Sequence, residues 1–236
     1  MTKDSQRSGR SLGDDEPPQR SGQNYIPALR FALLTSLYDP LVAWTAREST
    51  FKRRLVKLAQ IAAGHSVLDL GCGTATLTIL IKRRHRQAMV VGLDGDKRIL
   101  GIARKKVEAA GLDVSLDFGL ATELPYPDES FDRVLSSLLF HHLTRDQKRH
   151  ALVEALRVLR PGGQLHVADW GQARNPIERA QFLSVQLLDG FETTTDNVKG
   201  PLPKMIADAG FSNVAEQARY RTMYGAIAMY RAHKPA

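Results

Sequence analysis

The sequence predicts an α/β fold built on a mostly parallel sheet, and three observations predict it. Short apolar runs alternate with segments of helical period from about residue 64 to residue 170. The first of these runs, Val67 to Leu70, ends in Gly71, Cys72 and Gly73, a glycine turn that opens directly into a helical pattern. Near the C-terminus two further runs are separated by only a few residues around Gly225, so they must pair antiparallel. The expectation is a parallel sheet with right-handed crossovers that finishes in an antiparallel hairpin.

Residues 1–23 are rich in Ser, Gly, Arg and Pro and read as a disordered tail with no apolar segment of the kind a signal peptide needs. From Ile26 the composition changes. Residues 24–63 read as an N-terminal helical lid: Ala28 to Leu37 and Leu41 to Ile61 carry helical periodicity, with Phe51, Leu55, Leu58 and Ile61 on one face. Residues 64–236 then form the main domain. Val67 to Leu70 is a strand buried on both faces, and Thr74 to Arg86 a helix with Leu77, Leu80 and Ile81 inward. Ala88 to Leu93 is the second strand, closed by Asp94 and Gly95, and Asp96 caps a helix over Lys97 to Ala110 that Gly111 stops. Val114 to Phe118 and Phe131 to Ser137 are strands three and four. Gln147 to Leu159 is a helix stopped by Pro161, Gly162 and Gly163, and Gln164 to Trp170 is the fifth strand. An insert at about 171–205 includes a helical pattern from Ile177 to Leu188; Leu202 to Ala209 is helical, and Val214 to Arg221 with Ala226 to Ala232 make the hairpin.

At 236 residues, 43% apolar and 25% charged, the chain has the balance of a water-soluble domain, and no run approaches the roughly 20 apolar residues that span a bilayer. Its single cysteine, Cys72, excludes an internal disulfide and fits a reducing cytoplasm. A net charge of +8 raises a nucleic-acid or anionic-surface partner. The densest basic run, Lys82 to Arg86, closes a helix where cations favour the dipole's negative end, and no aromatic residue interleaves with it to stack bases, so the run reads as a helix-end complement.

The neighbours of the glycine turn decide what it holds. The third glycine of a dinucleotide fingerprint is replaced by Thr76, and no Gly-Lys-Ser/Thr follows for a nucleoside triphosphate. Asp69, two residues before Gly71, would repel a pyrophosphate and attract an ammonium or sulfonium. Asp94 ends strand two 23 residues after Gly71, where an acidic side chain accepts both hydroxyls of a ribose. A nucleoside with a cationic far end, such as S-adenosylmethionine, meets both conditions.

Five stretches in order carry a resemblance: D-L-G-C-G-T at Asp69 to Thr74, V-G-L-D ending at Asp94, A-T-E-L-P-Y-P-D-E-S-F-D from Ala121, F-H-H-L from Phe140, and L-R-P-G-G-Q-L from Leu159. Together they resemble the class I S-adenosylmethionine-dependent methyltransferases, in the small-molecule branch that includes ubiquinone and menaquinone biosynthesis. The resemblance implies a Rossmann-like, seven-stranded sheet with helices on both faces. It also implies that Asp69, Gly71, Cys72, Gly73 and Thr74 surround the methionine end, that Asp94 and Gly95 hold the ribose, that Leu120 and Ala121 meet the adenine, and that Ser137 lines the cofactor. Leu120 departs from the family, which has an acidic residue there for the adenine amine. Tyr38, on the lid, is a further candidate contact.

Methyl transfer from a sulfonium needs in-line approach and exclusion of water, and a base only where the acceptor must lose a proton. His141 and His142 follow strand four, and at most one is expected to serve as that base; a structural hydrogen bond is the alternative for each. Asp169 and Trp170 either line the acceptor pocket or serve, respectively, as a cap for the helix near Pro176 and a core aromatic. Strand four lacks the Asn/Asp-Pro-Pro-aromatic signature of amino-methylating nucleic-acid enzymes, and Cys72 is no cytosine nucleophile. The acceptor expected is a small aromatic, quinone-like or lipid molecule, with peripheral membrane contact compatible with it. A noncatalytic S-adenosylmethionine-binding module and an RNA methyltransferase are the competing readings.

Overall fold

The computed structural model describes residues 48–180, 200–222 and 225–236. Along these run α1 (Glu48–Leu58), β1 (Ser66–Leu70), α2 (Thr76–Arg84), β2 (Met89–Asp94), α3 (Lys97–Ala109), β3 (Ser115–Phe118) and β4 (Phe131–Ser137). A 3-10 turn at Phe140–His142 leads to α4 (Arg145–Val158), β5 (Leu159–Trp170), α5 (Leu202–Asp208), β6 (Ser212–Thr222) and β7 (Gly225–His233). The strands form one seven-stranded sheet in the order β3-β2-β1-β4-β5-β7-β6. β1 to β5 pair in parallel and β7 runs antiparallel to both β5 and β6, as the short connection at Gly225 requires.

β1 reverses the strand order: β2 lies on one side of it and β4 on the other, so the crevice at their carboxyl ends is the topological switch point where ligands of open α/β sheets bind. The pleat divides the core around this crevice. Leu68 and Leu70 face a cluster completed by Leu152, Ala155 and Val158 of α4 and Ile206 of α5. Val67 faces the other side, against Phe51 and Leu55 of α1 and Leu77 and Ile81 of α2. Both faces of β1 are buried, which is why it reads as a continuous apolar run broken only by Asp69.

Several boundaries differ from the sequence expectation by one or two residues, and three differences around α2 and α4 have a local cause. α2 begins at Thr76, because Gly73 and Ala75 adopt positive φ (54° and 61°) before the helix starts. α4 begins two residues earlier, at Arg145, under a capping box in which the Thr144 hydroxyl accepts from Gln147 N and the Gln147 side chain accepts from Thr144 N. It also stops before Pro161: Leu159 turns to extended geometry, and Leu159–Gln164 enters β5 as a bulge, with Phe131 opposite Leu159 and Arg133 opposite Gln164.

Residues 24–47 of the expected lid, Tyr38 among them, lie outside the described residues, as does most of the insert's helical pattern from Ile177 to Leu188. α1, at the end of that segment, is packed into the sheet's own core. Phe51, Leu55 and Val56 are fully buried against Leu135, Ala168 and Trp170. Among the described residues no helix is long and apolar enough to cross a membrane. Phe51→Ala is expected to lower unfolding free energy by about 3–5 kcal/mol, the usual effect of removing a fully buried aromatic; urea titration measures it, and a loss under 1 kcal/mol would mean α1 is peripheral to the domain.

Candidate functional site

The crevice is assembled from the carboxyl ends of four strands. Gly71 and Cys72 leave β1 with their N–H groups donating to Leu93 O at 2.9 Å each, so the glycine loop is stitched to the end of β2. Gly71 has φ 72° and its α-carbon faces Leu139; a Cβ there would come within 2.8 Å of the Leu139 side chain. Gly73 also has positive φ, and a Cβ on it would meet nothing within 4 Å, which marks the open side of the loop. Cys72 is buried against Gly92 of β2, and burial pushes its thiol far above the ordinary range, so it is packing rather than nucleophile.

Asp94 anchors this arrangement. Its Oδ2 accepts from Gly73 N at 2.8 Å and its Oδ1 from Asp96 N at 2.9 Å. Burial raises its carboxyl above the usual range, and these backbone donors oppose that shift. The sequence marks Asp94 as a ribose acceptor; the structure shows that it first holds the loop in shape, leaving second lone pairs on both oxygens. Asp96 next to it caps α3, accepting from Arg98 N and Ile99 N as expected. Lys106 of α3 reaches across to Thr74 and Thr76, at 3.2 and 2.8 Å, and fastens the far end of the loop.

Asp69 is 1% exposed in the middle of β1. Oδ2 accepts from the Thr78 hydroxyl at 2.6 Å, whereas Oδ1 is buried without a hydrogen-bond partner among the described residues. Burial pushes its pKa up to about 6; the Thr78 bond and the Lys52 ammonium pull the other way, and Asp94 adds to the rise. A half-satisfied buried carboxylate is what a donor cation would complete. Ser137, at the end of β4, likewise has a buried Oγ without a partner among the described residues. These two orphaned oxygens and the open side of Gly73 fit a ligand that brings its own donors to the crevice, as a nucleoside with an aminoacyl end does.

Beyond Ser137 the chain turns sharply. Leu138 has φ 59°, a strained value for a leucine, and its N–H donates to Ala168 O at the end of β5. This turn carries Phe140 into the core and places His141 against Asp169. Asp169 is fully buried; Oδ2 accepts from Phe140 N and Oδ1 from Trp170 N, both at 2.7 Å, and His141 Nδ1 lies 3.0 Å from Oδ1. The His141 ring holds the Asp169 carboxyl below the usual carboxylate range, so Asp169 is an anion and Nδ1 carries the proton it accepts. The His142 ring lies tilted by 42° to that of His141 with centroids 3.9 Å apart, and burial beside that ring depresses its pKa to about 3.

The structure thus brings Asp69, Gly71, Cys72, Gly73, Thr74, Asp94, Gly95, Ser137, His141 and His142 to one sheet edge. Asp169 does not cap the helix near Pro176; the Asn175 side chain does, accepting from Glu178 N at 2.8 Å, because Asp169 is committed to the β4 turn. Leu120 and Ala121 follow β3, where Leu120 makes a local bridge to Glu123. Sequence reading missed Asp117 of β3, whose Oδ2 accepts from the Tyr126 hydroxyl at 2.9 Å beside that turn. Its only signal was a carboxylate three residues before Leu120. Lys106 and Thr78 carried no signal at all, since their partners lie on other elements.

Residues 67–163 match the model of a methyltransferase domain family. A demethylmenaquinone methyltransferase of Thermus thermophilus is 42% identical over 120 residues, 51% of this chain and 54% of that protein. The chain therefore aligns with about half of that relative's length. A second, from Listeria welshimeri, is 33% identical over 184 residues, covering 70% of this chain and 77% of that protein. A crystal structure described as a putative methyltransferase from Bacillus halodurans has the same fold, with a TM-score of 0.65 at 20% identity over 78% of this chain and 99% of its own.

The Asp69 charge has a measurable consequence. A carboxyl whose pKa is raised by folding favours the folded state below the unfolded value near 3.9, and that contribution is lost as pH rises through about 6. Ionised Asp69 therefore costs roughly 3 kcal/mol at pH 8 in the absence of ligand. Asp69→Asn, which keeps an oxygen for Thr78, is expected to raise the melting temperature by several degrees at pH 8 and to change it little at pH 4. An equal shift at both pH values would refute the assignment.

Proposed function

Because this chain belongs to the class I S-adenosylmethionine-dependent methyltransferases, we propose that its crevice transfers a methyl group to a quinol-type aromatic carbon of a lipid-soluble acceptor. The observation that carries the reading is the set of groups at the switch point: a buried, half-satisfied Asp69, a loop opened at Gly73, and Asp94 at the ribose position. The two relatives named as demethylmenaquinone methyltransferases support the acceptor class. Cys72, the sole cysteine, supports a reducing, cytoplasmic setting.

Bound S-adenosylmethionine supplies an electrophilic methyl group. Asp69 receives the cationic aminoacyl end through Oδ1, and Asp94 accepts from the ribose hydroxyls while holding Gly73. Gly95 and Ala121 offer backbone to the nucleoside, Leu120 gives the adenine an apolar wall in place of an acidic one, and Ser137 presents a hydroxyl to the cofactor. Tyr38, outside the described residues, is a candidate cover.

A phenolic hydroxyl has a pKa near 10, so an aromatic ring carbon becomes a strong nucleophile at neutral pH only when a base takes that proton. Of the two histidines, His141 suits the task. Asp169 accepts from its Nδ1–H and so leaves Nε2 as the basic nitrogen, the tautomer a general base requires. His142, with its pKa near 3, stays neutral throughout the working range and is a weak base; we assign it to packing beside His141. The cofactor held by Asp69 and Asp94 would supply the methyl group: carbon–carbon bond formation would balance cleavage of the methyl–sulfur bond, S-adenosylhomocysteine would leave as a neutral thioether, and the displaced ring proton would pass to water.

Three measurements test this. Calorimetry is expected to show S-adenosylmethionine binding that Asp94→Ala abolishes; undiminished binding in that variant would remove Asp94 from the site. With a short-chain 2-prenyl-1,4-naphthoquinol as acceptor, mass spectrometry is expected to show one added methyl group. His141→Gln should lower kcat by about 10²- to 10⁴-fold and erase the acid limb of the pH–rate profile. Retention of that limb would leave His141 a structural residue.

A further inference from the structure

The positive charge of the chain is not spread evenly. Arg53, Arg54 and Lys57 lie on the outer face of α1, and Arg83, Arg84 and Arg86 lie at the end of α2 and in the turn after it. The two sets, about thirty residues apart in sequence, line two neighbouring grooves of about 320 and 500 Å³ that share Arg84. No carboxylate lines either groove, and none of the six cations forms an ion pair or hydrogen bond among the described residues. Carboxylates elsewhere find partners: Glu154 and Asp128 hold Arg157, Asp132 holds Arg160, and Glu216 holds Arg174 and Arg219.

A helix-end complement accounts for only part of this. Of the basic run after α2, Lys82 is engaged locally, donating to Ala88 O at 2.9 Å, while Arg83, Arg84 and Arg86 reach solvent. The α1 cations answer to a different helix. Six like charges held on one surface repel one another, and nothing in the described fold offsets that repulsion, so the surface is complementary to a polyanion.

Its composition favours one kind. The groove after α2 is lined by Ala62, Ala63 and Ala88, just before β1 and β2, so this face reaches the amino ends of the strands, away from the crevice at their carboxyl ends. Tyr220 is the one Tyr, Phe or Trp residue lining the grooves, too few for a stacking platform on single-stranded nucleic acid. Resting on the reading above that the acceptor is lipid-soluble, we propose that this α1–α2 face docks the protein on an anionic lipid bilayer, keeping the protein at the membrane in which the acceptor dissolves.

Vesicle flotation of the full chain tests it. At 100 mM salt the protein is expected to float with vesicles of phosphatidylcholine and phosphatidylglycerol and to stay behind with phosphatidylcholine alone, and 0.5 M salt should release it. The triple variant R53E/K57E/R84E should lose at least tenfold in vesicle partitioning while keeping its melting temperature and its S-adenosylmethionine binding. Wild-type retention by the triple variant, equal flotation with neutral vesicles, or binding of a single-stranded oligonucleotide in preference to the anionic vesicles would each overturn the proposal. Turnover of the short-chain naphthoquinol is read separately: if flotation behaves as expected and no turnover occurs, the acceptor assignment fails and the membrane surface stands.

Discussion

A carboxylate sealed inside an apolar sheet is the constraint on which the rest of this structure depends. Asp69 sits in a strand whose other residues are all buried, and desolvation alone would drive it neutral. The fold meets the charge halfway. Thr78, one turn into α2, donates to one oxygen, and Lys52 of α1 lends a distant positive field, while the second oxygen is left unbonded. Such a site is less stable than a hydrophobic replacement would be, and it persists where the deficit is made up by something that binds.

The geometry around that charge follows from the strand order. Because β2 and β4 flank β1 on opposite sides, the chain leaving β1 cannot continue over either neighbour and must turn at the crevice, which is why glycines stand there. Asp94 from β2 closes the turn from one side by holding Gly73 N, and Leu139 from the β4 turn closes it from the other by packing on Gly71. The strained backbone at Leu138 is fixed by Ala168 O and by the Asp169 carboxylate beneath it. Asp94, the glycine loop, the β4 turn and Asp169 are therefore rigidly related through four adjacent strands, β2, β1, β4 and β5, which is the positioning the proposed displacement needs.

Much of this was legible in the sequence, for a physical reason. Strand and helix periods, the glycine turn, the Asp96 cap and the short Gly225 connection are local signals, and the strands and helices they mark within the described residues are present. Asp69 and Asp94 were also legible, because a carboxylate inside or at the end of an apolar run has few structural uses. What could not be read depended on residues meeting across the fold. His141 and Asp169 are 28 residues apart and become a pair only because β4 and β5 are neighbours. Asp94 as the anchor of Gly73 is invisible until the loop is folded. The helical pattern around Phe51 was read as cover for the crevice, whereas α1 is core, because amphipathicity says that a face is buried without saying against what.

The same separation governs charge. The acidic residues of the crevice are held by groups on other parts of the fold, Thr78 of α2 for Asp69, Gly73 of the glycine loop for Asp94, and Phe140 and His141 of the 3-10 turn for Asp169, so their placement is fixed by the fold. The outward cations Arg53, Arg54, Lys57, Arg83 and Arg84 have no such partners among the described residues, and their positions are set by helix faces that the apolar core orients: burying Phe51, Leu55 and Val56 on one side of α1 forces Arg53, Arg54 and Lys57 to the other. The packing that completes the sheet's core thus also decides which surface is basic.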